Sequence, residues 1–212
     1  MNDESRKPPA TAEAAMARLR DGNRHFVENV RSVEAMLSLS ARAKLVDGQH
    51  PFAIVLSCSD SRVPAEIIFD CGLGDLFVVR VAGNVVAPSL VGSVEYAATT
   101  FGTSLVVVMG HTCCGAIKAT LDVLRNGDRP VSDNVRDLVE RVTPAAAEFA
   151  TSSLPEAEIV KRVTRANIRV SASHLRYGSK LLEKLVHEGK LAIVGAEASL
   201  ETGFVDFFDS DL

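Results

Sequence analysis

The 212-residue chain has no apolar run of about 18 residues, so nothing in it reads as a membrane-spanning helix. It has no cluster of lysine and arginine either. With a net charge of −4 and no basic patch, nucleic acid is excluded as an expected partner. The opening residues, MNDESRKPPATAEAAMARLRDGN, lack the apolar core of a secretory signal, which makes the cytoplasm the expected compartment. Cysteine is scarce. Four cysteines in a chain of this length are too few for a disulfide framework, and in a reducing compartment they read as core residues or ligands. The glycines of GLGD and VAGN do not form a Gly-x-Gly-x-x-Gly turn between a strand and a helix, which argues against nucleotide binding. There is no internal repeat, low-complexity segment or linker.

What remains is the composition of an ordinary globular protein, 47 % hydrophobic and 24 % charged. The length suits one domain with a substantial core. Residues 1–10, polar with two prolines, read as a flexible tail, and 11–212 as a single α/β domain that includes N-terminal helices. From Thr11 the pattern is helical, with Met16, Leu19, Phe26, Val27 and Val30 as an approximate apolar stripe interrupted by Gly22. A second helical stretch, about 33–47, carries Met36, Leu39 and Leu45.

The texture then changes. PFAIVLS (51–57), LFVVRVA (76–82), SLVVVMG (104–110) and LAIVGA (191–196) are short, β-rich apolar runs without polar alternation, as expected of parallel strands buried on both faces. Helical patterns fill 89–101, 114–127 (closed by a glycine), 133–150 and about 156–188. The order predicts a mostly parallel central sheet flanked by helices, with an N-terminal helical arm. In such sheets ligands gather at the carboxyl ends of the strands.

Two of those ends carry chemistry. The first run closes on Cys58-Ser59-Asp60-Ser61-Arg62, and the third on GHTCCGA, residues 110–116. If both tips share one edge, Cys58 approaches His111 and Cys114. A Cys/His/Cys set is a known catalytic zinc arrangement, with the fourth position left open. The spacing His111-x-x-Cys114 lets both reach one ion, and a cysteine opening a helix has a lowered thiol pKa. Cys113, between them, should point elsewhere. Cys71 and Cys113 read as core or supporting thiols, and His25, His50, His174 and His187 as surface or packing residues. Asp60 and Arg62, two residues apart, face the same side of an extended chain. There they form either a loop-fastening salt bridge or a pair in which Arg62 keeps Asp60 ionised beside the metal.

The segments CSDSRVPAEIIFDCGLGDLFVVRVAGNVV, SVEYA and GHTCCGA resemble the β-class carbonic anhydrases, from about Gly48 to Gly127, with weaker similarity in the N-terminal helices and last strand. The resemblance implies a Zn²⁺ enzyme that interconverts carbon dioxide and bicarbonate by attack of zinc-bound hydroxide. It implies Cys58, His111 and Cys114 as zinc ligands and Asp60 with Arg62 as the catalytic dyad, Asp60 either accepting a hydrogen bond from bound water or serving as a fourth ligand. Gln49, nine residues before Cys58, matches a substrate-binding glutamine. Phe77 and Tyr96 match aromatic residues lining the cleft, although both also fit a core. In that family some of these come from a neighbouring subunit, which implies a homodimer or homotetramer.

The chain departs from the pattern in places. One subgroup binds bicarbonate at a non-catalytic pocket through a tryptophan where this chain has Val55; the chain has no Trp, although Arg80 matches that subgroup's arginine. Ala198 stands where tyrosine is common, and Cys71 where glutamine is usual. Two other readings stay open: a related zinc hydrolase acting on carbon disulfide or carbonyl sulfide, and a non-catalytic zinc scaffold. An intact Asp60–Arg62 dyad argues against the scaffold, since a structural site would have a fourth fixed protein ligand.

Overall fold

The computed structural model describes residues 11–30, 42–43 and 45–208. The polar tail 1–10 and most of the helical stretch 33–47 lie outside the described residues; within that stretch Leu45 sits in a turn.

The sheet forms from the four apolar runs. Strand β1 is Ala53–Ser57, β2 Leu76–Arg80, β3 Leu105–His111 and β4 Ala192–Ala198. These four are mutually parallel, and every residue of β1 and β3 is buried. Two rows of side chains cross the sheet in register. Val55, Val107 and Val194 face one helical layer; Ile54, Val106 and Ile193 face the other. Burying each such side chain stabilises the fold by about 1.5–3 kcal/mol relative to exposure. A fifth strand, β5 (Val205–Phe208), pairs antiparallel with β4. The sequence pattern did not mark it, because VDFF is short and carries an aspartate. The strand order is β2-β1-β3-β4-β5.

Helix α1 (Ala12–Val27) is capped by Thr11, whose hydroxyl accepts from the Ala14 N–H at 3.3 Å. Met16 and Leu19 are buried, but Val27 is exposed and Val30 lies beyond the helix end, so the apolar stripe stops short of what the sequence predicts. Gly22 does not interrupt the helix. It permits a close approach: a Cβ there would lie 1.9 Å from the Phe69 carbonyl oxygen. A one-turn helix α2 (Ala65–Ile68) follows β1. Helix α3 is Pro88–Thr100. Helix α4, Gly115–Asn126, ends on Gly127 at φ 70°, the predicted left-handed cap.

Helix α5 spans Asp133–Ala146, and residues 147–149 tighten into a 3₁₀ turn. The predicted helix 156–188 is two helices, α6 (Glu156–Gly178) and α7 (Lys180–His187). Ser179 adopts an extended conformation between them. Its hydroxyl accepts from the Leu182 N–H at 3.1 Å and donates to Glu95 Oε1 at 2.5 Å. Among the described residues no helix is long and apolar enough to cross a membrane.

The strand order positions the site. From β1 the chain moves outward to β2; from β3 it moves the other way, to β4. The connections therefore diverge at the carboxyl ends of β1 and β3, leaving a crevice between two adjacent strand tips.

Candidate metal centre

Cys58 is the first residue past β1, His111 the last of β3, and Cys114 the residue that opens α4. Because Ser57 pairs with Met109, these positions fall at one level of the crevice. The ligand atoms of Cys58, His111 and Cys114 all lie within 4.8 Å of one another, and all three residues are buried. The turn 112–114 is made possible by Cys113, at φ 57°, which directs its own side chain to solvent.

The donor chemistry fits a cation. His111 Nδ1 lies 3.0 Å from the Thr112 carbonyl oxygen. A carbonyl can only accept, so the proton sits on Nδ1 and Nε2 carries the free lone pair. Nε2 is fully buried without a hydrogen-bond partner among the described residues, an arrangement that is costly unless something binds there. The two thiols answer the same demand. Cys58 is driven toward the thiolate, its pKa lowered chiefly by a hydrogen bond from Cys114 and further by the backbone N–H groups of Asp60 and Gly83. Cys114 opens a helix, which alone would lower its pKa, but it is instead pushed upward by that same bond, by burial and by the neighbouring charge. One proton is thus shared between two sulfurs, and a divalent cation would displace it. Two thiolates and an imidazole suit Zn²⁺.

Asp60 and Arg62 meet as the motif implies, but not through an extended chain. Residues 60–63 form a turn, with the Val63 N–H donating to the Asp60 carbonyl at 3.2 Å and the Arg62 N–H donating to Asp60 Oδ1 at 3.0 Å. The guanidinium then grips both oxygens, Nε to Oδ1 at 2.9 Å and Nη2 to Oδ2 at 2.7 Å. This fork holds the Asp60 carboxyl well below the usual carboxylate range. Asp60 Oδ2 also lies 3.9 Å from His111 Nε2, so an ionised carboxylate borders the metal position.

Three further residues shape the site. Arg80, the charged end of an apolar strand, donates from Nε to the Cys58 carbonyl at 3.0 Å and from Nη2 to the Asp60 carbonyl at 2.7 Å. It fastens the segment that carries both groups. Gly83 donates its N–H to Cys58 Sγ at 3.4 Å, and Asn167 on α6 donates to the Gly83 carbonyl at 2.8 Å. Only Arg80 had a sequence signal, its match to a subgroup's arginine position at the end of an apolar run.

The remaining candidates lie elsewhere in the chain. Gln49 precedes β1 and Phe77 is the second residue of β2, both toward the amino edge of the sheet, whereas Cys58 is at the carboxyl edge. Tyr96 on α3 packs with Phe77 and Phe101 at ring separations of 5.7 to 6.2 Å, on the sheet face opposite the one shared by Cys58 and Cys114, and it is 54 % exposed. One chain therefore does not bring Gln49, Phe77 and Tyr96 to its own Cys/His/Cys group. Val55 and Ala198 are buried strand residues, Ala198 directly opposite His111. Cys71 is a core thiol, raised to about 12 mainly by burial. His25 packs against Asp70, Nδ1 to Oδ2 at 3.2 Å.

Comparison with known proteins agrees with this geometry. A family model described as carbonic anhydrase matches residues 53–205. A carbonic anhydrase of Mycolicibacterium smegmatis is 40 % identical over 199 residues, 94 % of each chain. The solved β-carbonic anhydrase CcaA superposes with a TM-score of 0.73 at 26 % identity, covering 94 % of this chain and 93 % of that one. One of two tetrameric β-carbonic anhydrases from Sordaria macrospora shares the fold at a TM-score of 0.70 and 22 % identity, over 93 % of each chain. With a buried Cys/His/Cys group at the divergent strand tips of this architecture, the chain belongs to the carbonic anhydrase family and, within it, to the β class.

Proposed function

We propose that this chain catalyses the reversible hydration of carbon dioxide to bicarbonate and a proton, with Zn²⁺ held by Cys58, His111 and Cys114 and with Asp60 and Arg62 as the catalytic dyad. The observation that carries the reading is the pairing of a buried, partnerless His111 Nε2 with an ionised Asp60 oxygen 3.9 Å away. When bound, the ion would act as a Lewis acid that lowers the pKa of water and so makes it a nucleophile.

The protein's share of the work is orientation. Arg62 fixes both oxygens of Asp60, and Oδ2 faces the metal position. Asp60 accepts a hydrogen bond from the reacting water and so aims an oxygen lone pair at the carbon of carbon dioxide. Arg62 keeps Asp60 from taking the proton, which leaves with the solvent or a buffer. The Arg80 bonds to the Cys58 and Asp60 carbonyls hold ligand and dyad at a fixed spacing.

The substrate wall is supplied by a second copy. Gln49, Phe77 and Tyr96 lie away from their own chain's metal group, yet exposed Tyr96 and half-buried Phe77 and Gln49 form surface that a partner chain can meet. In a homodimer or homotetramer, Gln49 donates to the oxygen that gains charge and the aromatic rings hold the apolar substrate. The tetrameric relatives of the same fold support this reading. Four free cysteines suit a reducing compartment, the cytoplasm.

Metal replacement tests the proposal. Chelation should abolish hydration and stoichiometric Zn²⁺ restore it. A chelated protein that hydrates carbon dioxide at the untreated rate would contradict it.

A further inference from the structure

Asn167 is an unexpected residue for its position. It lies midway along α6 on the buried face, beside Val163, Thr164, Ile168 and Ser171, and is 1 % exposed. A buried amide is costly unless its hydrogen bonds are made. Its Nδ2 finds one acceptor, the Gly83 carbonyl, while its Oδ1 finds no donor among the described residues.

That single bond lands one residue from the metal centre. Gly83 flanks its Cα with two bonds: the carbonyl accepts from Asn167, and the N–H donates to Cys58 Sγ. The carbonyl belongs to the peptide plane after Gly83 and the N–H to the plane before it, so holding both restrains the φ and ψ of Gly83 between them. The 3₁₀ turn Ala82–Asn84 is closed by a backbone bond, Asn84 N–H to the Val81 carbonyl at 3.1 Å, and Asn167 adds a hold from outside it. Gly83 sits at φ 72° and Asn84 at φ 45°, both in the left-handed region, and no side chain caps the turn. The turn is also wedged in place, because a Cβ on Gly83 would lie 3.1 Å from the Ala116 side chain of α4, the helix that Cys114 opens.

We propose that Asn167 is a positioning residue for the metal centre: through Gly83 it holds an N–H on the Cys58 sulfur and so sets the placement and donor strength of that ligand. The inference rests on the reading of Cys58, His111 and Cys114 as a metal site. An N–H directed at a thiolate withdraws electron density from it. With two thiolates on one ion, that leaves the ion more positive than it would otherwise be.

The test uses the full-length protein loaded with Co²⁺ or Zn²⁺ and compares wild type, Asn167→Ala, Asn167→Asp and the packing control Ile168→Val. Loss of the held N–H should move the thiolate-to-cobalt charge-transfer band to lower energy in both Asn167 variants. Zinc should be held about tenfold less tightly in chelator competition, the usual order for a residue supporting a metal ligand. Ile168→Val should change neither. The proposal is overturned if both Asn167 variants keep the wild-type band and zinc affinity, or if Ile168→Val shifts them equally. Should neither Asn167 variant fold, cadmium-113-loaded wild type decides: a scalar coupling between the metal and the Gly83 amide proton, with a slowly exchanging Asn167 side-chain amide, is expected, and the absence of either overturns the proposal. A wild-type protein that binds neither cobalt nor zinc overturns the metal reading itself, and this inference with it.

Discussion

Arg62 grips both carboxylate oxygens of Asp60, Nε 2.9 Å from Oδ1 and Nη2 2.7 Å from Oδ2, and the gripped Oδ2 is the oxygen that faces His111. Asp60 is thereby held as an anion beside the metal position without being one of the three clustered ligands. Asp60→Asn and Arg62→Ala should therefore retain a full complement of zinc while hydration falls by about 10²–10⁴-fold, the usual cost of removing a positioned proton-handling group. Zinc content and stopped-flow rates measured on the same preparation check this. Loss of zinc along with activity would make Asp60 structural.

The same pairing sets a pH expectation. The folded pKa of Asp60 is depressed, so its favourable pairing is present above the unfolded carboxylate pKa and is lost only as pH falls through the lower folded value. Asp60 should thus remain ionised from mildly acidic to alkaline pH, and no activity limb in that range belongs to it. In Asp60→Asn the residual rate should keep the wild-type profile. A profile that loses its neutral-to-alkaline slope would contradict this assignment.

Thiol reactivity separates the four cysteines. With zinc bound, only Cys113 is exposed; Cys71 is buried, with its pKa pushed up to about 12, and Cys58 and Cys114 are occupied as ligands. A thiol reagent at neutral pH should label one cysteine per chain, and about two after chelation, when the thiolate-prone Cys58 joins Cys113 while Cys114 keeps its proton. Mass spectrometry of the labelled peptides identifies them. Labelling of Cys58 in the zinc-loaded protein would count against its role as a ligand.

A site completed by a partner chain makes a sharp mixing prediction. Asp60→Asn and Gln49→Ala chains should each be impaired alone. In a mixed dimer both changes fall on one site and leave the other intact, so co-refolded mixtures should regain a substantial fraction of wild-type hydration. If Gln49 served its own chain's metal, mixing would restore nothing.

Much of the fold was legible because hydrophobic runs without polar alternation have one good solution, a parallel sheet covered on both faces. AIVLS and LVVVMGH illustrate this, and the ligand-bearing residues follow directly where those strands stop. The break at Ser179 had a local signal, Gly178 followed by a serine that N-caps the next helix, but KLLEKLVH continues the helical pattern and masked it; the contact with Glu95, 84 residues away, adds to the cap. The role of Gly22 was hidden because the carbonyl it accommodates belongs to Phe69. Gly22→Ala should cost about 1–3 kcal/mol in urea unfolding, the range for forcing atoms into a packed interior. That Gln49, Phe77 and Tyr96 lie away from their own chain's Cys/His/Cys group could not be read from periodicity, because it depends on which sheet edge and face each position occupies.

The most direct test of the account is stopped-flow hydration of carbon dioxide by the zinc-loaded protein from about pH 6.5 to 9, a range bracketing the water pKa of about 7 found in carbonic anhydrases whose zinc is held by three histidines. Here two thiolates offset the charge of the ion, so water should keep its proton to higher pH. Rapid hydration that climbs toward the alkaline end is expected. Absence of hydration across that range with zinc bound would contradict it, and a flat profile would contradict the thiolate argument.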